Sequence, residues 1–157
     1  MDAVSLGISA ASVVDLSVKL VQFLYRTKKG TESVDDDLQG LIDDIENLTR
    51  VTGLVSKAFK DNSKQSDAAI KTDDDILSIR RTASSTLKDC ADALAMMESI
   101  VEKVKGEDGS SRFDRLRRHF RRLSKEEDFL RCRERLSNGY QALQMSLTML
   151  DMFVIQS

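Results

Sequence analysis

Proline is absent from this sequence, and glycine is scarce, with 7 residues among 157. Because proline is the residue that breaks helices, lacking an N–H and clashing with the preceding turn, its absence permits very long helices. Tryptophan is also absent, and aromatic residues make up only 5% of the chain, so a core has to be built from aliphatic residues and methionine. Hydrophobic residues at 41% and charged residues at 32% exclude a disordered chain and predict one folded domain over residues 1–157.

Cysteine and histidine are almost missing, with only Cys90, Cys132 and His119 in the chain. A secreted disulfide scaffold and a Cys/His zinc cluster both need more of these residues. Haem and di-iron sites need histidine ligands that a lone His119, set among arginines, does not supply, and a surface position is the simpler interpretation. Both cysteines fall on apolar helix faces, which predicts buried, reduced thiols. Without a basic leader and cleavage site at the N-terminus, a cytoplasmic location is expected.

The motifs of common catalytic sites are missing as well. There is no GxxxxGK[ST] phosphate loop, no EF-hand spacing and no nucleophile elbow. The acidic runs at residues 35–37 and 73–75 are able to ligate a divalent cation, but both lie at predicted helix starts, where the helix dipole alone favours acids. The sequence therefore predicts a protein that is not an enzyme and has no cofactor and no metal site.

Charge is unevenly distributed although the net charge is only −2, a value that argues against a nucleic-acid partner. Residues 32–46 hold seven acids and no base, whereas residues 112–135 hold ten Lys and Arg against five acids. These segments are either two solvated helix faces that attract each other across the fold, or a binding surface. The basic residues that we take as a candidate lipid- or partner-binding patch are Arg112, Arg115, Arg117, Arg118, Arg121, Arg122 and Lys125.

Apolar residues spaced by three and four predict an all-α fold. We expect long helices over residues 3–27, 34–60, 73–105 and 124–153, and a short basic helix over residues 112–123, which is also the pattern of a helix that caps a core. The predicted inward stripes of the last three long helices are Val34, Leu38, Leu41, Ile45, Leu48, Thr52, Val55 and Phe59, then Ile76, Ile79, Ala83, Leu87, Cys90, Leu94, Met97, Val101 and Val104, and then Phe129, Cys132, Leu136, Tyr140, Leu143, Leu147, Leu150 and Val154. The last long helix opens on a capping box formed by Ser124 and Glu127. Residues 61–72 and 106–111 are predicted linkers, being polar or rich in Gly and Ser. Rods about 40 Å long bury their stripes only side by side, so the expected architecture is an elongated bundle of four long helices plus the short basic one.

The N-terminal helix is apolar around most of its circumference. On a helical wheel, Asp15, Lys19, Gln22 and Arg26 fall within a sector about 60° wide, and nearly all other positions from 13 to 26 are apolar. Such a helix is either the central element of the bundle, packed on several sides, or a segment that is buried in one state and inserted in lipid or a partner in another. A standard transmembrane span is disfavoured because charges at its centre cost roughly 2.5–3.5 kcal/mol each, although an i,i+4 pair of Asp15 with Lys19 reduces that cost.

Both ends of the chain resemble a known family. The leader is small and apolar and is followed by Asp15-Leu16 and Lys19-Leu20, and the next helix has Leu38, Leu41 and Ile45 in phase. The basic segment then leads into a closing helix of Leu-x-x-x-Leu type. These features resemble the N-terminal helical domains, called HeLo-like or NACHT-associated, of fungal STAND proteins, the NOD-like receptors of filamentous fungi. The chain departs from many relatives at Arg118-His119-Phe120, where they carry Trp-Pro.

The resemblance implies a cell-death or defence signalling domain of programmed cell death, heterokaryon incompatibility and innate immunity. Such domains are fused to a nucleotide-binding oligomerisation domain that activates them, and they oligomerise and move to the plasma membrane, where the N-terminal helix meets anionic lipid. Other relatives are passive adaptors, so a homotypic dimerisation module without membrane activity is the alternative. The residues expected to form the membrane-active face of the helix are Val4, Leu6, Ile8, Val13, Val14, Leu16, Val18, Leu20, Val21, Phe23 and Leu24.

Overall fold

The computed structural model describes residues 3–28, 35–65, 74–105 and 126–156. These ranges hold four helices, which are α1 (Ala3–Lys28), α2 (Asp35–Gln65), α3 (Asp74–Lys105) and α4 (Glu127–Gln156). No strand occurs in the described ranges, and the predicted all-α class is confirmed. The short basic helix predicted over residues 112–123 lies outside the described residues.

The four helices form a bundle in which each helix packs against two others. Helix α1 lies between α2 and α3, and α4 lies between the same two helices on the opposite side. Helices α2 and α3 face each other across a diagonal with few contacts. The order around the bundle is therefore α1, α2, α4, α3.

Contacts between named residues fix the helix directions. On α4, Arg135 contacts Asp89 of α3, and Gly139, further along α4, lies against Thr86, which is earlier in α3, so these two helices are antiparallel. The C-terminal halves of α1 and α3 line a common groove, so α1 and α3 are parallel. Asp44, early in α2, pairs with Arg133, early in α4, so these two helices are parallel. Helix directions therefore alternate along the chain, as in up-down-up-down four-helix bundles.

Each helix contributes a stripe of buried residues spaced by three and four, the period that keeps one face of a helix turned to its neighbours. In α2 every predicted stripe residue that the structure describes is buried, including Thr52, whose hydroxyl donates to the Leu48 carbonyl at 2.7 Å. In α3 the predicted stripe is buried from Ile79 to Val101, and Ile76 is half-buried. The completely buried large side chains include Leu24, Leu41, Ile45, Phe59, Leu87, Leu94, Met97 and Phe129.

The stripe of α4 differs from the predicted one in its register. The sequence suggested that Tyr140 and Leu147 point inward, but both are only half-buried, and Gly139 and Ser146 occupy the inner positions. The reason is the close approach of α3, since a Cβ on Gly139 would overlap the sulfur of Cys90. Small residues on a stripe allow helix backbones to approach more closely than Leu or Tyr would.

Helix boundaries were predicted wrongly at α2 and α4. Helix α4 spans Glu127–Gln156 instead of residues 124–153, and its first turn is closed by the hydrogen bond from the Leu130 N–H to the Glu126 carbonyl at 3.0 Å, so the N-cap residue is Glu126 and not Ser124 as the predicted capping box requires.

Helix α2 continues to Gln65, whereas the polar composition of residues 61–72 had suggested a linker from Asp61 onward. Residues 61–65 are polar but include no proline or glycine, and residues such as Lys and Gln extend a helix readily. The predicted starts of α2 and α3 at their acidic runs are confirmed to within one residue.

Candidate functional site: the N-terminal helix

Helix α1 lies at a corner of the bundle. Its contacts with α2 and α3 bury one stripe, spaced by four and three residues, while the remaining surface is half-buried or exposed. The buried stripe consists of Leu6, Ala10, Val13, Ser17, Leu20 and Leu24. The interpretation of this helix as a central element packed on several sides is therefore wrong: like each of the other three helices, it packs against two neighbours.

The polar sector predicted on the wheel points to solvent. All four of its members are exposed, and they are Asp15, Lys19, Gln22 and Arg26. The predicted i,i+4 pair also forms, with Lys19 Nζ 3.3 Å from Asp15 Oδ2. Because both side chains are more than 60% exposed, this pair contributes little to stability in water. The pair holds the two charges nearest the middle of the helix next to each other.

The predicted membrane-active face is distributed over three environments in the structure. Two of its residues, Ile8 and Val18, are exposed, by 64% and 44%. Buried members are Leu6, Val13, Leu20 and Leu24, and half-buried members are Val14, Leu16, Val21 and Phe23. Val4 belongs to the helix, but its side chain is outside the described part. The half-buried residues lie on the flanks that contact α2 and α3, which explains why a corner helix needs an apolar arc wider than its buried stripe.

Helix α1 is joined to α2 by a hydrogen bond near its C-terminal end. The Tyr25 hydroxyl donates to Glu46 Oε1 at 3.1 Å. This hydrogen bond to a carboxylate raises the pKa of Tyr25 above its ordinary value, because the protonated phenol is the form that donates. The ring itself is 44% exposed, so the contact lies at the rim of the α1–α2 interface.

A groove runs between the C-terminal halves of α1 and α3. On the α1 side it is lined by two cations, Lys19 and Arg26, and on the α3 side by two acids, Glu98 and Glu102. Leu20 and Val101 form its floor. The attraction between opposite charges on the two walls favours the docked position of α1. Because these charges lie at the surface, salt weakens the attraction.

The buried stripe of α1 contains one polar side chain without a partner. Ser17 is fully buried, and its Oγ makes no hydrogen bond with any described group. A buried hydroxyl that loses its hydrogen bonds to water and gains none costs about 1–3 kcal/mol. Ser17 thus weakens the docking of α1 at the centre of its own interface.

The other predicted site residues divide between the described and undescribed parts of the chain. The basic patch at residues 112–125 and His119 lie outside the described residues. Cys90 and Cys132 are buried and free, as predicted, and burial raises the pKa of both thiols, that of Cys90 to about 12. Within the described residues, no three His, Cys, Asp or Glu side chains are grouped so as to hold a metal ion.

Sequence reasoning missed a second unusual surface, the outward face of α4. Three methionines there are exposed, namely Met145, Met149 and Met152. The signal was present, because residues 136–150 include no charged residue. It was overlooked because the apolar residues of this segment were all assigned to one inward stripe.

Helix α1 has the length and composition of a membrane-spanning helix over Leu6–Arg26, a property shared by some core helices of soluble proteins. Among the described helices it is the one that meets this criterion. Only 28% of this segment is buried in the bundle, so the apolar composition of α1 exceeds what its packing requires. Comparison of the chain with protein-family models, curated proteins and solved structures finds no match.

Proposed function

We propose that this chain is a non-enzymatic signalling domain of cell death or defence that oligomerises and targets membrane through α1. The observation that carries the proposal is the mismatch in α1 between apolar composition and burial. Four of its 26 residues are charged, compared with 11 of 31 in α2, yet it occupies an equivalent corner of the bundle. A HeLo-like role ahead of a nucleotide-binding oligomerisation domain is consistent with this helix and with the resemblance of both ends of the chain.

The energetic argument compares two environments for α1. In the bundle its stripe is buried, but Ile8 and Val18 remain in water. At a bilayer these side chains also leave water, and burial of apolar surface is favourable by about 25 cal/mol per Å². The charges near the middle of the helix oppose deep insertion, but the Asp15–Lys19 pair reduces that cost.

Release of α1 is favoured by the weak point in its interface. The unpaired Ser17 hydroxyl lowers the stability of the docked state, as does the open, salt-sensitive groove toward α3. The basic patch at residues 112–125, which is outside the described residues, is proposed to contact anionic lipid, each cation near such a surface contributing about 1 kcal/mol. The proposal places this patch on the short basic helix expected from the sequence.

The test uses vesicles containing anionic lipid, with co-sedimentation and dye release as readouts. We expect the purified domain to bind at low salt and to release dye once it is clustered through a dimerising tag. Val18→Glu places a charge on exposed α1 surface and should abolish binding without unfolding the protein. Leu54→Glu is the matched control, because Leu54 is 51% exposed on the neighbouring helix α2, and it should leave binding unchanged.

Ser17→Ala tests the release of α1 in the opposite direction, by strengthening its docking. Removing the unpaired hydroxyl should stabilise docked α1, raise the unfolding midpoint and reduce dye release. Absence of binding and of release by the clustered wild-type protein would contradict the membrane role and leave the alternative. That alternative is a passive adaptor or homotypic dimerisation module, which the charge-free exposed surface of α4 between Glu134 and Asp151 favours.

A further inference from the structure

The polar sector of α1 runs along the helix axis instead of being confined to the helix ends. Asp15, Lys19, Gln22 and Arg26 are all exposed, and their spacing of four, three and four residues places them on one side of the helix. Together they cover about 16 Å of its length at 1.5 Å per residue. A polar stripe parallel to the axis is the pattern of a helix that lies in a membrane interface, whereas a spanning helix has its polar residues at its two ends.

The apolar face opposite this sector is the face that the bundle buries. At about 100° per residue, the buried stripe from Leu6 to Leu24 is centred about 180° from the polar sector. Half-buried Val14, Leu16 and Val21 widen this face on both flanks. The residues that contact α2 and α3 are therefore also the residues that an interfacial orientation turns toward the acyl chains of a membrane.

A spanning orientation fits the charge distribution of α1 less well. The segment Leu6–Arg26 is roughly 32 Å long, which matches the hydrocarbon thickness of a bilayer, but the Asp15–Lys19 pair lies near its middle. The part of α1 without charge, residues 3–14, rises only about 18 Å, well short of that thickness. In the plane of the interface, by contrast, all four members of the polar sector reach the headgroups at once.

The charges of α1 favour an anionic surface and lie toward one end of the helix. Three residues are cations, Lys19, Arg26 and Lys28, and a single residue, Asp15, is an acid. Tyr25 is 44% exposed beside them, and tyrosine is enriched where membrane meets water. All of these residues follow the charge-free segment, so we expect the C-terminal half of α1 to stay at anionic headgroups while the N-terminal half lies deeper.

We propose that α1 lies in the plane of one leaflet, with the polar sector at the headgroups and the stripe from Leu6 to Leu24 turned to the acyl chains. The N-terminal half lies deeper than the C-terminal half but does not reach the opposite leaflet. Because the same stripe holds α1 in the bundle, bundle packing and lipid binding are mutually exclusive, and the bundle is the inhibited state of this helix. The inference rests on the proposed function, since it assigns the lipid-facing surface of α1 and the contact that restrains it.

Quenching from the two sides of a vesicle tests the orientation. Ile8→Cys and Gln22→Cys place the same fluorophore at exposed positions on one side of α1, and the buried native thiols do not label. With the clustered domain on anionic vesicles, external iodide should quench the label at position 22, and iodide trapped inside the vesicles should quench neither label. Brominated acyl chains should quench the label at position 8 more strongly than the label at position 22.

A spanning helix gives a different pattern of quenching. Position 8 then reaches the inner surface, where trapped iodide quenches it. A label at Ser12→Cys, an exposed site between the other two, is then quenched by acyl chains more strongly than either of them. In the proposed orientation its quenching is intermediate. Either spanning result overturns the in-plane orientation and leaves the membrane role intact.

Reversible crosslinks test whether α1 has to leave the bundle. Tyr25 and Glu46 are hydrogen-bonded between α1 and α2 at 3.1 Å, so cysteines at both positions can be joined by a bismaleimide with a reducible spacer. The crosslinked protein should lose vesicle binding, and reductant should restore it. Asp89→Cys with Arg135→Cys is the matched control, because this ion pair joins α3 to α4 at 2.6 Å, and its crosslinked form should still bind. Circular dichroism verifies that both double variants fold.

The other outcomes separate this inference from the proposed function. Equal binding before and after the α1–α2 crosslink means that α1 contacts lipid without leaving the bundle, which overturns the mutual exclusion. Loss of binding with both crosslinks means that the bundle opens as a whole and does not release α1 alone. If the clustered wild-type protein binds no anionic vesicle, the proposed function and this inference fail together, whereas binding without the predicted quenching refutes the inference alone.

Discussion

Helices α1 and α2 are neighbours that bury the same kind of stripe and differ in the balance of apolar and charged side chains on their exposed surfaces. Each turns residues spaced by three and four toward the core, including Leu24 of α1 and Phe59 of α2. Outside that stripe α2 presents mostly charged and polar side chains, for example Asp43 and Asp44, with Leu54 as an exposed apolar residue, whereas α1 presents Ile8 and Val18 beside its polar sector. The difference between the helices is therefore in the solvent-facing residues, not in their burial.

This comparison shows which part of α1 the fold explains. Its inward and flanking apolar residues are accounted for by contact with α2 and α3, as in any corner helix of a bundle. Its exposed Ile8 and Val18 are not, because a helix in that position is equally stable with polar residues there. The proposed membrane role rests on those residues.

The largest effect is expected from truncating the buried stripes. Phe59→Ala in α2 should lower the free energy of unfolding by about 3–5 kcal/mol and Leu24→Ala in α1 by about 2–5 kcal/mol, since both remove fully buried groups. Leu54→Ala, at an exposed site, should change it by less than about 0.5 kcal/mol. Urea denaturation measures all three, and a negligible loss for Leu24→Ala would mean that α1 is not docked as described.

A glycine comparison tests packing against open surface. Gly139→Ala should destabilise by about 1–3 kcal/mol, because the added methyl overlaps the sulfur of Cys90 between α3 and α4. Gly7→Ala in α1 and Gly53→Ala in α2 meet no neighbouring atom and should each stabilise by about 0.5–1 kcal/mol through helix propensity. Thermal unfolding distinguishes the two signs, and a stabilised Gly139→Ala would refute the close approach.

The buried thiol of Cys90 should make stability depend on alkaline pH. Burial raises the pKa of Cys90 to about 12, above the unfolded value near 8.5. The contribution to stability is complete below the unfolded pKa and is lost as pH rises through the window from about 8.5 to 12, because the unfolded chain releases the proton first. The urea midpoint of the wild type should fall when the pH is raised from 8 to 10, and that of Cys90→Ala should fall less. An identical fall in both proteins would contradict the raised pKa of Cys90.

The smallest effects on stability are expected from removing the ion pairs of α1 and α2. Asp44 of α2 pairs with Arg133 of α4 at 2.9 Å, whereas Asp15 of α1 pairs with Lys19 of its own helix. Asp44→Asn should cost about 0.5 kcal/mol in low salt and less in high salt, because the pair is partly shielded and links two helices. For Asp15→Asn we expect a change within a few tenths of a kcal/mol, and a larger loss there than for Asp44→Asn would reverse the comparison.

The sequence was sufficient to predict the four described helices and most of the core because both depend on a short-range period. The stripe from Leu38 to Phe59 and the exposed sector around Asp15 follow directly from spacing. The register of α4 did not, since the choice between Leu147 and Ser146 as the inward residue depends on how closely α3 approaches. The order of the helices around the bundle was likewise outside the reach of periodicity.

The candidate site was predictable in composition but not in place. The sequence identified α1 as unusually apolar, yet it favoured neither a central nor a releasable helix decisively, because both need an apolar surface. Its corner position, the exposure of Val18 and the unpaired Ser17 required coordinates. The three exposed methionines of α4 were missed because they are interspersed along the sequence with the residues of its buried stripe.

The most direct measurement places an environment-sensitive fluorophore at position 18 through Val18→Cys, with the same label at position 54 through Leu54→Cys as the reference. Both sites are exposed in the bundle, on adjacent helices, so both labels should emit as in water before lipid is added. On adding anionic vesicles to the clustered domain, we predict a blue shift and quenching by brominated acyl chains at position 18 and neither change at position 54. Emission at position 18 that stays unchanged, or that changes equally at position 54, would contradict the claim that α1 is the part of this protein that enters the membrane.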